Sequence, residues 1–310
     1  MNERAVLFGA SGTLVGVVTS PEAAADGPAF VMLNAGLLHR IGPHRLYVEL
    51  ANALASLGLA SIRFDFSGIG DSGARADQLP ARLAAVEETR DAMGVLEATV
   101  GSRRFVVVGL CSGADAAFRT AARDPRVVGA VLIDGPPYRS WQFFVRHYAR
   151  RLLRPSSWRN ALSGRHPVWN LLRARGAGGA ASNRRVPDRA GGGLWPMPAD
   201  RDIPPRREAR DALRGLIERK VKICLVYTGG YGQFVNGAGQ FGEVFPDLDA
   251  RGCVQVERMA DTDHTFTLRP HREGLIALLQ SWCANAGWLA AAPPRTTDRL
   301  PLAITPGLDA

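Results

Sequence analysis

Residues 103–117 read RRFVVVGLCSGADAA. A β-branched run leads into a Gly-Leu-Cys-Ser-Gly turn, and the turn opens into SGADAAFRTAARD, whose composition is helical. A strand, a tight glycine-flanked turn and a helix make an elbow that lifts its middle residue above the C-terminal edge of a sheet. Gly109 and Gly113 suit the crowded backbone of such a turn. The middle residue is Cys111, so the expected nucleophile is a thiol. Ser112 follows it, and in this register its hydroxyl is not the attacking group. Its main-chain N–H is instead the expected first donor to an oxyanion.

Strand and helix signals alternate on both sides of the elbow. AVLFGASGTLVGVVTS (5–20) reads as a hairpin, and PAFVMLNAG (28–36) as a short apolar strand ending in a glycine loop. A helix over 44–58, a strand over 59–66 and a long amphipathic helix over 80–101 precede the elbow strand. VVGAVLID (127–134), KVKICLVYTGG (220–230) and GCVQVERM (252–259) read as further strands, and 271–287 as a closing helix. This alternation predicts an α/β fold, a mostly parallel twisted sheet with helices on both faces.

The alternation breaks once. Residues 138–205 begin with an aromatic, arginine-rich helical stretch, YRSWQFFVRHYARRLL, and run into a Gly/Ala/Pro/Arg-rich segment, 176–205, that lacks periodicity. The expected organisation is a core of residues 1–137 and 206–285, a cap insertion of 138–205 with a flexible loop at 176–205, and a tail of 286–310.

Composition narrows the function. The chain has 310 residues, 46% of them hydrophobic, enough for one α/β domain with a large core. No stretch approaches a membrane span, and the first residues do not read as a signal peptide, so a cytoplasmic location is expected. The four cysteines form no CxxC pair, and Cys224 and Cys253 read as core residues. No metal-binding or nucleotide-binding motif is present, so neither a metal nor a cofactor is expected. The net charge of +9 is concentrated in residues 151–220, which hold 16 Lys or Arg against 6 Asp or Glu. These basic residues lack interleaved aromatics and any nucleic-acid motif, which argues against a nucleic-acid partner and for a solvated surface or an acidic ligand.

A nucleophile needs a base. RMADTDHTFTLRP (258–270) places His264 after the last strand and before the last helix, the only one of six histidines so situated. The loop after the third strand, LNAGLLHRIGPH, offers a second oxyanion donor, and the Leu37 N–H is the choice. The acid is less direct. TGGYGQFVNGAGQFGEVF holds no carboxylate before Glu243. Asp134, ending the strand VVGAVLID, is favoured. Glu243 or Asp247 and a Cys–His dyad with no acid are the alternatives. Asp263 adjoins His264 in sequence, a poor arrangement for facing it.

Taken together, NAGLLHRIGPHRLYVELANALASLG, IRFDFSGIGDS, VVVGLCSGADAA, HYARRLLRPSSWRNALSG and ADTDHTFT resemble the α/β-hydrolase superfamily. Within it, they resemble the hydrolases associated with exosortase-A gene clusters. The resemblance covers most of residues 5–285. It implies a cysteine at the elbow and a histidine in the Asp-His-Thr-Phe segment, which fall on Cys111 and His264. That family's acid lies in a Tyr-Ser-Glu-Gly-Asp-like segment, and the matching YTGGY (227–231) has no carboxylate.

The expected chemistry is Cys-dependent hydrolysis or transfer of an acyl ester or thioester through an S-acyl enzyme. The substrate would be a small acyl compound, free or bound to CoA or a carrier protein, and specialised metabolism is a fitting setting. Two alternatives stand beside it. In one, His264 acts as base in an elimination that expels a carboxylate from an acyl ester. In the other, the fold is a degenerate hydrolase that only binds.

Overall fold

The computed structural model describes residues 1–152, 201, 203–237 and 239–289. All of the expected flexible loop but residues 201 and 203–205, and most of the expected tail, fall outside them; Arg201, expected in that loop, has a buried side chain. Eight strands form one sheet in the order β1-β2-β4-β3-β5-β6-β7-β8. They are β1 (Asn2–Phe8), β2 (Leu14–Ser20), β3 (Ala29–Leu33), β4 (Ser61–Phe64), β5 (Phe105–Leu110), β6 (Val127–Ile133), β7 (Lys222–Thr228) and β8 (Val254–Met259). β2 pairs antiparallel with β1 and β4, and every pairing from β4 to β8 is parallel. The expected hairpin and parallel sheet are both present.

Seven helices connect the described strands: α1 (Leu46–Ser56), α2 (Ala81–Val100), α3 (Ser112–Arg123), α4 (Trp141–Leu152), α5 (Arg206–Glu218), α6 (Gln240–Val244) and α7 (Arg269–Asn285). The unbroken apolar runs in the sequence follow from covering both faces of the sheet. All of β5 is buried, and its residues alternate sides. Phe105 and Val107 join α2, α3 and α5 in one core, while Val106, Val108 and Leu110 join α1 and α7 in the other. Fully burying one such aliphatic side chain contributes about 1.5–3 kcal/mol, so the sheet interior fixes where each strand ends.

Two details differ from the sequence reading. Trp288, expected in the tail, is buried, and its ring meets those of Trp282 and Phe30 edge-on at 4.9 and 6.4 Å. Cys253, expected in the core, is half-buried, while Cys224 is fully enclosed. Among the described residues, no helix is long and apolar enough to cross a membrane.

Candidate active site

The elbow is built as its residues dictate. β5 ends at Leu110, and Cys111 sits at φ 58°, ψ −119° before α3 begins. A positive φ is costly for a residue with a side chain, of order 1–3 kcal/mol, and persists only where the surroundings enforce it. Here they do. Cys111 N–H donates to the Ile133 carbonyl at 2.9 Å, and the Cys111 carbonyl accepts from Ala114 N–H at 3.0 Å. The two glycines are sterically required. A Cβ on Gly109 would lie 2.1 Å from the Gly113 carbonyl oxygen, and one on Gly113 would lie 2.4 Å from that of Asn34.

The structure brings Cys111, His264 and Asp134 together. The His264 side chain faces the Cys111 thiol. Asp134 Oδ2 lies 2.6 Å from His264 Nδ1, so the other ring nitrogen is left for the sulfur. Asp134 is fully buried, at a positive φ of 47°, one residue past β6. Its Oδ1 accepts from the Thr228 N–H at 2.8 Å and its Oδ2 from the Thr228 hydroxyl at 2.7 Å. Thr228 closes β7, so the carboxylate is gripped by the strand whose following loop lacks an acid. That loop begins Gly229-Gly230, and a Cβ on Gly230 would lie 2.9 Å from the His264 amide nitrogen.

His264 is held from several sides. The Tyr231 ring stacks along the imidazole at 6.0 Å and 11°. Asp263 turns away from the ring and accepts from the Thr265 and Thr267 hydroxyls at 2.7 and 2.9 Å, which stiffens the loop. The hydrogen bond to Asp134, and then the Cys111 thiol, push the imidazole up to about 9. Burial works against ionising Cys111, but the His264 hydrogen bond and the nearby Arg201 charge outweigh it and hold the thiol below its ordinary range. Each member of the pair thus favours the charged form of the other.

The expected oxyanion donors sit around the sulfur's loop. The Ser112 N–H is among the groups that favour the ionised Cys111 thiol. The Ser112 hydroxyl accepts from the Gly36 N–H at 2.8 Å, tying the β3 loop to the elbow. Leu37 comes next, its side chain 88% exposed, and its amide donates no hydrogen bond among the described residues. Glu243 and Asp247, the alternative acids, are engaged elsewhere. Glu243 pairs with Arg146 at 2.6 Å and accepts from the Ser140 hydroxyl at 2.5 Å, and Asp247 pairs with Arg214 at 2.9 Å. A dyad without an acid is likewise not what the geometry contains.

Three contributors escape sequence reading. Thr228 is one. Tyr47 is another: from α1 its hydroxyl donates to the Leu33 carbonyl at 2.9 Å and accepts from the Leu110 N–H at 3.2 Å, bridging the ends of β3 and β5. The third is Arg201, buried against Asp115 of α3 with 2% of its side chain exposed. Nothing in their local sequence marks them, because each acts through partners distant in the chain.

His39, Asp65 and Asp71 are the one group among the described residues with metal-ligand spacing, their ligand atoms lying within 4.8 Å of one another. The Arg40 guanidinium already occupies that group, bonded to Asp65 at 2.5 Å, Asp71 at 2.8 Å and His39 at 2.8 Å. A cation there would have to displace the arginine. The apolar cleft between α3, α5 and α6, lined by Phe118, Tyr138, Tyr227 and Phe245 among others, contains neither Cys111 nor His264. It is not the reaction site.

No protein-family model matches the chain, and no curated protein matches it. Solved structures do. An α/β serine hydrolase without lid from Xanthomonas campestris aligns at 17% identity over 94% of this chain and 98% of its own, with a TM-score of 0.52. An esterase from Pyrococcus furiosus aligns at 14% identity over 93% and 90%, with a TM-score of 0.53. An α/β serine hydrolase homologue from Coxiella burnetii aligns at 14% over 90% and 95%, with a TM-score of 0.50. At such identities the likeness is one of fold, and this chain has the α/β-hydrolase fold.

Proposed function

We propose that this protein is a Cys-dependent acyl ester or thioester hydrolase or acyltransferase that works through an S-acyl enzyme. The observation that carries the reading is the continuous chain from the Cys111 thiol to His264 and on, at 2.6 Å, to the buried carboxylate of Asp134. The Cys111 thiolate attacks the carbonyl carbon, and the Ser112 and Leu37 N–H groups receive the developing oxyanion. The imidazolium of His264 protonates the departing alcohol or thiol. The neutral imidazole then takes a proton from water, or from another acceptor, as that nucleophile attacks the thioester. Asp134 holds the ring in place and offsets its charge throughout.

The exposed apolar residues that leave the same sheet edge, Leu37 and Leu38 after β3 and Trp141, Phe144 and Tyr148 in α4, suit an acyl chain. A CoA-bound or carrier-bound donor fits the basic surplus of residues 151–220. The resemblance to the exosortase-A-associated hydrolases and a setting in specialised metabolism belong to this same reading, as does a cytoplasmic location. The elimination alternative draws its force from the lack of a carboxylate after β7. Asp134 at the imidazole removes that ground, and the occupied Cys–His–Asp arrangement weighs against a purely binding role.

The test is intact-protein mass spectrometry after brief incubation with a p-nitrophenyl acyl ester, native chain against Cys111→Ala. An acyl adduct present only in the native chain supports the reading. Release of p-nitrophenol by the Cys111→Ala variant at the native rate, with no adduct on either, would overturn it.

A further inference from the structure

Arg201 makes more of the site than a salt bridge requires. Its Nε and Nη2 grip Asp115 at 2.7 and 2.6 Å. Nη2 also donates to the Cys111 carbonyl at 3.2 Å, and Nη1 donates to the Asp134 carbonyl at 3.2 Å and the Tyr231 hydroxyl at 2.6 Å. Tyr231 in turn donates to the Gly135 carbonyl at 3.1 Å, and its ring lies along His264. The two carbonyls that the guanidinium takes belong to Cys111 and Asp134, both held at positive φ.

Burying a guanidinium with a carboxylate is expensive, and well-packed hydrocarbon commonly fills such a position at no loss of stability. The fork here does what hydrocarbon cannot. It reaches, from one side chain, the main chain of two residues on neighbouring strands. It also sets a permanent positive charge within hydrogen-bond reach of the Cys111 main chain. The other ionisable groups facing Cys111 are His264 from the β8–α7 loop, Tyr47 from α1 and Tyr231 from the turn after β7. Both tyrosines are pushed far up by burial and stay neutral. Asp115 is taken up by the guanidinium itself, and Asp134 faces the imidazole. Arg201 is therefore the one fixed cation in this set.

We propose that Arg201 is a positioning residue of the Cys111 site: it braces the two strained main-chain positions that carry the thiol and the acid, and its charge favours the thiolate. The inference rests on the reading of Cys111 as nucleophile, and it extends the machinery beyond the three side chains to a fourth, Arg201.

Alkylation separates the two ideas because it needs no substrate. Cys111 modification by iodoacetamide would be followed by peptide mass spectrometry across pH, with thermal melts alongside. Three proteins would be compared: the native chain, Asp115→Asn, and the pair Arg201→Met with Asp115→Asn, which removes both charges and leaves no buried ion alone. The pair is expected to move the curve to higher pH and slow alkylation at pH 7 by about tenfold, the low end of the effect of losing a neighbouring opposite charge. Asp115→Asn alone, which leaves the arginine uncompensated, is expected to alkylate as fast as the native chain or faster. A double variant that melts lower yet follows the native curve would reduce Arg201 to a structural prop. If the double variant does not fold, slower alkylation of Asp115→Asn would overturn the proposal in its place. A native Cys111 that reacts only in the ordinary thiol range would instead sink the nucleophile reading.

Discussion

Replacing Asp134 by Asn tests the centre of the argument, because the carboxylate accepts from three donors and an amide cannot. Oδ1 takes the Thr228 N–H, while Oδ2 takes the Thr228 hydroxyl and His264 Nδ1. If the amide oxygen stays with the hydroxyl and the ring, the NH2 group faces the Thr228 N–H. A buried backbone donor is then unpaired, at a cost of about 1–3 kcal/mol. If the amide is flipped, the Thr228 hydroxyl can turn to accept, but His264 must bare its Nδ1 and keep its proton on the nitrogen facing Cys111. The ring then cannot take a proton from the thiol, a fault of about 10²–10⁴ in turnover for arrangements of this kind. Either way the imidazole loses the partner that raises it most. Urea unfolding, p-nitrophenyl ester turnover and the pH profile of Cys111 alkylation read the three consequences separately. Stability and turnover both within a factor of two of the native protein would refute the reasoning.

Other outcomes follow from the same geometry. His264 is raised to about 9, so its share of stability is complete below its ordinary value of 6.5 and is lost as pH rises through about 9. Cys111 is lowered, so its share is present above the ordinary thiol range and is lost as pH falls through the lowered value. The His264 titration, followed by NMR of the ring protons, should therefore lie well above pH 6.5 in the native chain and fall back in Asp134→Asn. Gly109→Ala drives a Cβ to 2.1 Å from the Gly113 carbonyl oxygen and 2.5 Å from the Ala114 nitrogen. The contact is with main chain, so a loss of at least ~1–3 kcal/mol is expected in urea unfolding. Tyr47→Phe leaves the Leu110 N–H without the hydroxyl it donates to, and should cost about 1–3 kcal/mol. Full native stability in that variant would show that the bridge between β3 and β5 contributes little.

How much of this is legible in the sequence depends on how local each signal is. The elbow is written in consecutive residues: a β-branched strand, two glycines whose extra atom has no room, and a helix. Asp134 and His264 are legible by position, as polar residues at the ends of recognisable strands, and the structure places them in contact. Glu243 is a carboxylate in a suitable loop, and only tertiary structure shows Arg146 claiming it. Arg201 lies in a stretch without periodicity, and its partners Asp115, Cys111, Asp134 and Tyr231 come from other parts of the fold. Tyr47 reads as one more apolar residue on α1, since the stripe reports the ring and not its hydroxyl. Trp288 sits past the last helical residue, where sequence alone favours a tail.

The register of β5 on β6 pairs Leu110 with Ile133. Cys111 and Asp134 each follow directly, so thiol and carboxylate leave the sheet as lateral neighbours. The spacing between them starts from the register of two hydrogen-bonded strands and not from the connection after β7. The connection after β7 is thereby relieved of supplying an acid, and two glycines suffice there to let the histidine loop settle close. Insertions in that connection would change what surrounds the substrate while leaving the distance from sulfur to acid as the sheet set it.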